Sequence, residues 1–382
     1  MDIGRLCNGF GQTGCCCMRI FGLINRGETY ETPTPIKSII NESGTMHFTK
    51  KGYGAKIVLT VRSVIVRFDK IYYKDKAMLT GYIIEKYSRM TGAYTCNRLV
   101  EEAAKRGVDL RIVGMADVVV REDGVYYSAE QDDSWHGSGD ECREVGNVFK
   151  RLSPCDFVLN RYKYGHIKDE IGALAKRTYN DAAAFNIYIN KYMQVKHLRS
   201  EGFLMPKYVL GTGLTDYQVI AEQLGVPFVA KGLTSSQGAE VFLIENEADF
   251  EALGAKYAAD KEYLFEEYIA ESYGRDIRFY SIRGEVVACM TREAVQGFKA
   301  NVALGAGVRE YPIDDNIRRA ARDIYEQTGL DFLGIDLLFG KDKTYFCEIN
   351  VMPGIEGMER ATGVNVAGAI MDTIIGDFQN DH

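Results

Sequence analysis

At 382 residues, 46% of them apolar and 26% charged, the chain can hold two or three domains with substantial cores. It has no run of 18 apolar residues, and Met1 to Ile40 lacks a basic start followed by an apolar stretch and a cleavage site, so neither a membrane span nor a secretory leader is expected. The net charge of −7 divides into +6 over residues 1–77 and −13 over the rest, and so acidic a body argues against nonspecific nucleic-acid binding.

The nine cysteines are odd in number and form no CxxC pair, which argues against a disulfide framework or a zinc site. The cytoplasm, where thiols stay reduced, is the expected compartment. Four of the cysteines lie in residues 1–77, which do not read as a folded unit: the middle is the turn-rich Thr32-Pro33-Thr34-Pro35, and only Ile57 to Phe68 suggests a strand.

From Leu79 the pattern becomes regular. Residues 79–84 predict a strand, and Thr95 to Arg106 a helix, with Leu99, Val100, Ala103 and Ala104 at helical spacing. Gly107 closes that helix and Asp109 to Val113 returns as a strand, a βαβ unit that predicts a parallel sheet. The polar loop Asp132 to Gly139 carries the only tryptophan, Trp135, and reads as a surface turn or a substrate-facing loop. Cys155 to Asn160 is an apolar strand that ends at Arg161, and strand ends facing a cleft are where ligands sit in open α/β sheets. A solvated arginine fits the same pattern.

Gln194 to Gly202 predicts a helix. Phe228 to Lys231 is a strand with a lysine at its end, followed by the small-residue loop Gly232 to Gly238, whose backbone N–H groups suit phosphate oxygens. It is not a Walker motif, because no Gly-Lys-Ser/Thr opens a helix there. Tyr263 to Ile269 reads as a strand and a polar link, and Arg275–Arg278 and Gly284–Ala288 as two more strands. Residues 313–328 predict a helix with Ile317, Ala320, Ala321 and Ile324 on one face, and Ala361 to Ile375 a terminal helix.

The most informative stretch is 331–363. An apolar run, Leu333 to Phe339, is interrupted by Asp336; Gly340-Lys341-Asp342-Lys343 reads as a hairpin turn, and Thr344 to Val351 as the returning strand. Glu348 and Asn350, two residues apart, leave one face of that strand, and pairing across the turn brings Asp336 near them. Two carboxylates and an amide oxygen suit a hard divalent cation that keeps open positions for phosphate oxygens. A hairpin acid in an apolar run is served equally by a lysine or arginine partner.

Glu348 to Gly363, Glu-Ile-Asn-Val-Met-Pro-Gly-Ile-Glu-Gly-Met-Glu-Arg-Ala-Thr-Gly, resembles the closing motif of ATP-grasp ligases, and most of all the RimK-type branch, which joins an amino acid to a carboxylate. The likeness covers roughly residues 79–375. It implies an α/β fold: an N-terminal parallel-sheet pre-ATP-grasp domain over 78–165, then a two-lobed ATP-grasp domain over 166–382, with lobes at about 186–264 and 265–382. It implies that Asp336, Glu348 and Asn350 hold two Mg²⁺ ions, or Mn²⁺ in their place, and that Lys191 and Lys231 meet ATP phosphates. Glu266, Glu267, Tyr268 and Ile269 would form the adenine hinge, with Asp276 on the ribose side. Arg292 would neutralise charge on the transferred phosphoryl group, while Lys299 and Asn301 would contact the nucleotide. Arg161 and Arg278 are the candidates for the substrate carboxylate.

The implied reaction is ADP-forming amide synthesis through an acylphosphate, adding an amino acid such as glutamate to a carboxylate on a small molecule, a peptide or a protein C-terminus. A lysine-biosynthesis or cofactor-tail ligase, and a nucleotide-binding regulator without turnover, are the alternatives. No nucleic-acid or membrane partner is implied; by analogy a dimer or tetramer is. A chain of this type starts almost directly with a strand, so Met78 is the expected start, and residues 1–77 are upstream sequence from a mis-assigned start, with a disordered arm or a small extra domain as the alternatives.

Overall fold

The structure is a computed structural model that describes residues 36–40, 45–50, 57–60, 78–86, 94–128, 141–144, 147–163, 165–235, 238–258, 260–298 and 307–380. The chain divides into two units, Met1–Ala77 and Met78–His382. In the first, β1 (Ile36–Ile40), β2 (Thr45–Lys50) and β3 (Ile57–Thr60) form an antiparallel sheet, where one strand was expected.

The second unit opens with the expected βαβ arrangement: β4 (Thr80–Glu85), α1 (Tyr94–Lys105) and β5 (Asp109–Gly114), the strands pairing in parallel from Thr80↔Asp109 to Glu85↔Gly114. Gly107 takes φ +70° after α1, as a C′ glycine does. A four-stranded antiparallel sheet in the order β6-β7-β9-β8 follows, made of β6 (Val118–Arg121), β7 (Gly124–Ser128), β8 (Glu141–Glu144) and β9 (Asn147–Arg151). The Trp135 loop lies outside the described residues. Next come β10 (Cys155–Asn160), α2 (His166–Gly172) and β11 (Ala175–Tyr179). β11 pairs with β10, completing the parallel order β11-β10-β4-β5, so the sheet runs beyond residue 165.

α3 (Ala182–Tyr188) and α4 (Lys191–His197) lead into the first grasp lobe. α4 starts three residues before the expected Gln194, because the Asn190 side chain caps it by accepting from the Tyr192 and Met193 N–H groups. The lobe's sheet is β12 (Tyr208–Thr212), β13 (Phe228–Gly232), β14 (Val241–Ile244) and β15 (Glu262–Glu267), in the order β12-β15-β13-β14, with α5 (Tyr217–Leu224) and α6 (Glu247–Lys256) supplying core residues. β15 pairs with β12 as far as Glu266 and with β13 as far as Glu267.

The second lobe is the antiparallel sheet β18-β17-β16-β19-β20, made of β16 (Arg275–Ile282), β17 (Glu285–Glu293), β18 (Gly307–Glu310), β19 (Phe332–Leu338) and β20 (Tyr345–Asn350). α7 (Asp315–Thr328) buries Ile317, Ala320, Ala321 and Ile324, the face expected from the sequence. In place of one terminal helix from Ala361 there are two, α8 (Glu356–Thr362) and α9 (Val366–Asn380), separated at Gly363, which adopts the left-handed conformation that ends α8. Among the described residues, no helix is long and apolar enough to cross a membrane.

Candidate active site

The large sheet assembles the centre of the site through its register. Asp276 lies opposite Arg292 across β16–β17, Arg278 opposite Asp336 across β16–β19, and Asp336 opposite Glu348 across β19–β20. Side chains directly opposite on neighbouring strands share a face, and Asn350 joins them two residues beyond Glu348. A register shift between Asp336 and Leu337 leaves Cys347 as the extra residue on β20, next to Glu348.

Charge buried in an apolar sheet is costly unless paired, and here it is paired in a chain. Arg278 donates to both Asp336 oxygens at 2.6 Å each, and the Arg292 Nη2 donates to Asp336 Oδ2 at 2.7 Å. Arg292 also forks onto Asp276, at 2.7 and 2.6 Å. Burial alone would raise the Asp336 carboxyl; the Arg278 and Arg292 guanidiniums outweigh it and hold the group below the usual carboxylate range. Asp276 has fewer allies: burial lifts it to about 6 against the pull of Arg292, and the Asp336 charge adds to the rise.

The first lobe brings two lysines to this face. Lys191 Nζ lies 3.1 Å from Glu348 Oε2 and donates to the Ser235 carbonyl at 2.8 Å. Burial pushes Glu348 upward, but Lys191 leads the groups that bring it below its ordinary value. Lys231 Nζ on β13 meets Glu266 Oε2 on β15 at 2.5 Å and approaches the Cys347 carbonyl at 3.4 Å. The other Glu266 oxygen is buried and finds no partner among the described residues. Glu267 accepts from the Lys207 N–H at 2.9 Å, Tyr268 is half-buried and Ile269 is buried. A buried, unpartnered carboxylate oxygen at the edge of this hinge suits an amine donor such as that of a nucleobase.

The metal candidates are two carboxylates and an amide. Asn350 Oδ1 accepts from the Met352 N–H at 3.0 Å, which fixes its orientation. Among the described residues no three His, Cys, Asp or Glu side chains converge on a point that could hold a metal. A cation placed against Asp336 and Glu348 would therefore complete its shell with the amide oxygen and with oxygens from outside the protein, the pattern magnesium favours at phosphate sites.

Most of the residues singled out in the sequence thus come together. Both oxygens of Asp276, the residue expected on the ribose side, accept from Arg292, just as both oxygens of Asp336 accept from Arg278 and Arg292. Arg278 holds Asp336 and is not a free carboxylate grip. Arg161 donates from Nη1 to the Pro353 carbonyl at 3.1 Å, which puts the end of β10 against the closing motif, and its buried Nε finds no hydrogen-bond partner. Lys299 and Asn301 lie outside the described residues. Sequence reasoning missed Gln194, which donates to the Ile349 carbonyl at 3.0 Å and accepts from the Ile349 N–H at 2.9 Å, pinning β20 between Glu348 and Asn350. It also missed Lys163, which reaches the loop after β13. A polar residue in the first turn of a helix, or a lysine three residues past a strand, carries no local signal of such a role.

Comparison with known proteins supplies the rest. Residues 189–374 match the family described as the RimK-like ATP-grasp domain. A protein of Xanthomonas oryzae pv. oryzae named as a probable alpha-L-glutamate ligase is 30% identical over 290 residues, covering 74% of this chain and 94% of that one. One of the same name from Enterobacter sp. is 29% identical, with 75% and 93% covered. Among solved structures, a D-alanine–D-alanine ligase of Bacillus anthracis complexed with ATP superposes with a TM-score of 0.56 at 14% identity, over 80% of this chain and all of that one. A macrocyclase from Microcystis aeruginosa bound with a precursor peptide gives 0.55 at 15%, over 78% and 99%.

Proposed function

The chain belongs to the RimK-like ATP-grasp family and is an ATP-grasp ligase, and from that premise we propose that it joins an amino acid, glutamate in the first instance, to the carboxylate of a peptide, protein or small molecule. The carboxylate takes the terminal phosphoryl group of ATP, the amine attacks the resulting acylphosphate, and phosphate leaves with ADP already formed. No covalent nucleophile of the protein is needed; positioning and charge compensation suffice. Asp336, Glu348 and Asn350 would hold the magnesium, which supplies neutralisation of phosphoryl charge when bound. By the family resemblance two ions would be held there.

The observation that carries the proposal is the meeting of Lys191 with Glu348 at 3.1 Å beside the Asp276–Arg292–Asp336–Arg278 chain. A lysine, an arginine held by two carboxylates and the candidate cation ligands on one face make an arrangement suited to phosphoryl transfer. Arg161, at the end of β10, remains the candidate for the acceptor carboxylate.

The test is ADP release with Mg²⁺-ATP and L-glutamate against a panel of carboxylates, including peptide C-termini. Release that needs both the amine and one carboxylate supports the proposal; release with neither, or dependence on a different amine, overturns the glutamate assignment. Glu348→Gln removes one charge of the cation site without changing its shape, so turnover should fall at least a thousandfold while the melting temperature stays within a few degrees. Unchanged turnover would show that the cation is held elsewhere.

A further inference from the structure

The segment that leaves β10 does more than end a strand. Asn160 Oδ1 accepts from the Tyr162 N–H at 3.2 Å, turning the chain so that residues 161 and 163 both reach toward the grasp lobes. Arg161 goes to Pro353, beyond β20. Lys163 goes the other way, donating from Nζ to the Thr234 carbonyl at 3.0 Å, in the loop that follows β13. The carbonyls on either side are also held by a lysine: Leu233 accepts from the Lys191 N–H at 2.8 Å and Ser235 from Lys191 Nζ at 2.8 Å. Three consecutive carbonyls of the phosphate-facing loop therefore end on two lysines from different parts of the fold.

This placement is electrostatically incomplete. Lys231 is matched by Glu266, and Lys191 by Glu348. Lys163 has a neutral carbonyl as its partner, while burial and the Lys191 ammonium draw its own ammonium down to about 8 and Glu348 opposes them. A half-buried cation that feels a second cation and one carboxylate is stabilised by an arriving anion. On the ligase reading, the anion expected beside Lys191 and Glu348 is the triphosphate of ATP.

We propose that Lys163, supplied by the N-terminal parallel-sheet domain, is a further nucleotide-binding residue that contacts the terminal phosphoryl group, exchanging the Thr234 carbonyl for a phosphate oxygen. The proposal rests on the ligase reading above and adds to it a residue from outside the matched grasp domain, since the family match begins at residue 189.

Mg²⁺-ATP and Mg²⁺-ADP binding by calorimetry to the wild type, Lys163→Met and Lys163→Arg tests it, with no acceptor present. ADP lacks the terminal phosphoryl group and serves as the internal control. Lys163→Met should weaken ATP about tenfold or more, as expected for one lost charge-assisted hydrogen bond, leave ADP within about twofold, and be largely rescued by Lys163→Arg. Equal losses on both nucleotides, or no loss on either, overturn the assignment. Those outcomes leave the ligase reading standing, whereas a wild type that binds neither nucleotide overturns both.

Discussion

Asp276 separates what a motif implies from what a side chain does. Its carboxylate is 7% exposed and fully used by Arg292, which must also reach Asp336. A guanidinium forked between two carboxylates is fixed in plane and direction, which is how a group meant to meet developing charge should be held. Asp276→Asn retains the shape but loses the charge and one acceptor oxygen. It should lower kcat about ten- to a hundredfold while leaving ATP affinity within about twofold, and Asp276→Glu should recover part of the loss. A purely structural role would instead lower the melting temperature in proportion. Because the Asp276 carboxyl is raised to about 6, it gains its proton and loosens Arg292 as pH falls through that value. Wild-type kcat should decline there, and the Asp276→Asn profile should stay flat at its low level. The acids of the hairpin were legible in the sequence, since Asp336, Glu348 and Asn350 follow from strand alternation and one turn. The arginine partners were not, because cross-strand register between β16, β17 and β19 is written in no local spacing.

At the scale of elements, legibility followed the same rule. α1 and α7 were found to within two residues from their apolar spacing, and β19–β20 from their turn. The break between α8 and α9 escaped because a single glycine in an otherwise helical composition gives little warning. What docks α1 is equally non-local. Tyr94 Oη and Arg98 Nε donate to Glu359 Oε2 of α8 at 2.8 and 3.2 Å, and Arg106 forks onto Asp372 of α9 at 2.6 and 3.0 Å. Glu102, buried on α1, holds Arg106 and Lys105 in place and is drawn down to about 2, by Lys105 first and then Arg106 against the effect of burial. A carboxylate depressed in the folded state contributes stability that is complete above its unfolded value, about 4.3, and lost as pH falls toward the folded one. Glu102→Gln should therefore cost about 1 kcal/mol at pH 7, and the gap between the two proteins should close between pH 5 and 2. Urea melts across that range measure it; a gap independent of pH would show that Glu102 acts through packing.

The whole molecule is decided by where its cores run. Among the described side chains, the apolar clusters run from Leu79 to Phe378. One of them joins the parallel-sheet domain to the second grasp lobe: Leu99, Ala103 and Phe157 pack with Tyr280, Met290, Ile370 and Met371. The first lobe keeps a core of its own around Ile220, Phe228, Phe250 and Phe265. A shared core binds two parts into one cooperative body, while a lobe with a private core can move as a unit over its ligand. The domain boundary expected near residue 165 is thus a boundary of topology and not of stability. We propose that the ligase unit is 78–382 and that residues 1–77 are dispensable to it. A chain beginning at Met78 should melt within about 2 °C of the full-length protein and release ADP at the same rate. A chain beginning at residue 166 should not fold, because it strips Leu99, Ala103 and Phe157 from a core in which Ile370 and Met371 are buried, and exposing several such side chains costs roughly 1.5–3 kcal/mol each, more than a typical domain's whole margin. Calorimetric scans of the two truncations decide the matter. Cooperative melting by the shorter chain would mean that the parallel-sheet domain only leans on the grasp fold, and a shift produced by removing 1–77 would mean that the ligase unit begins before Met78.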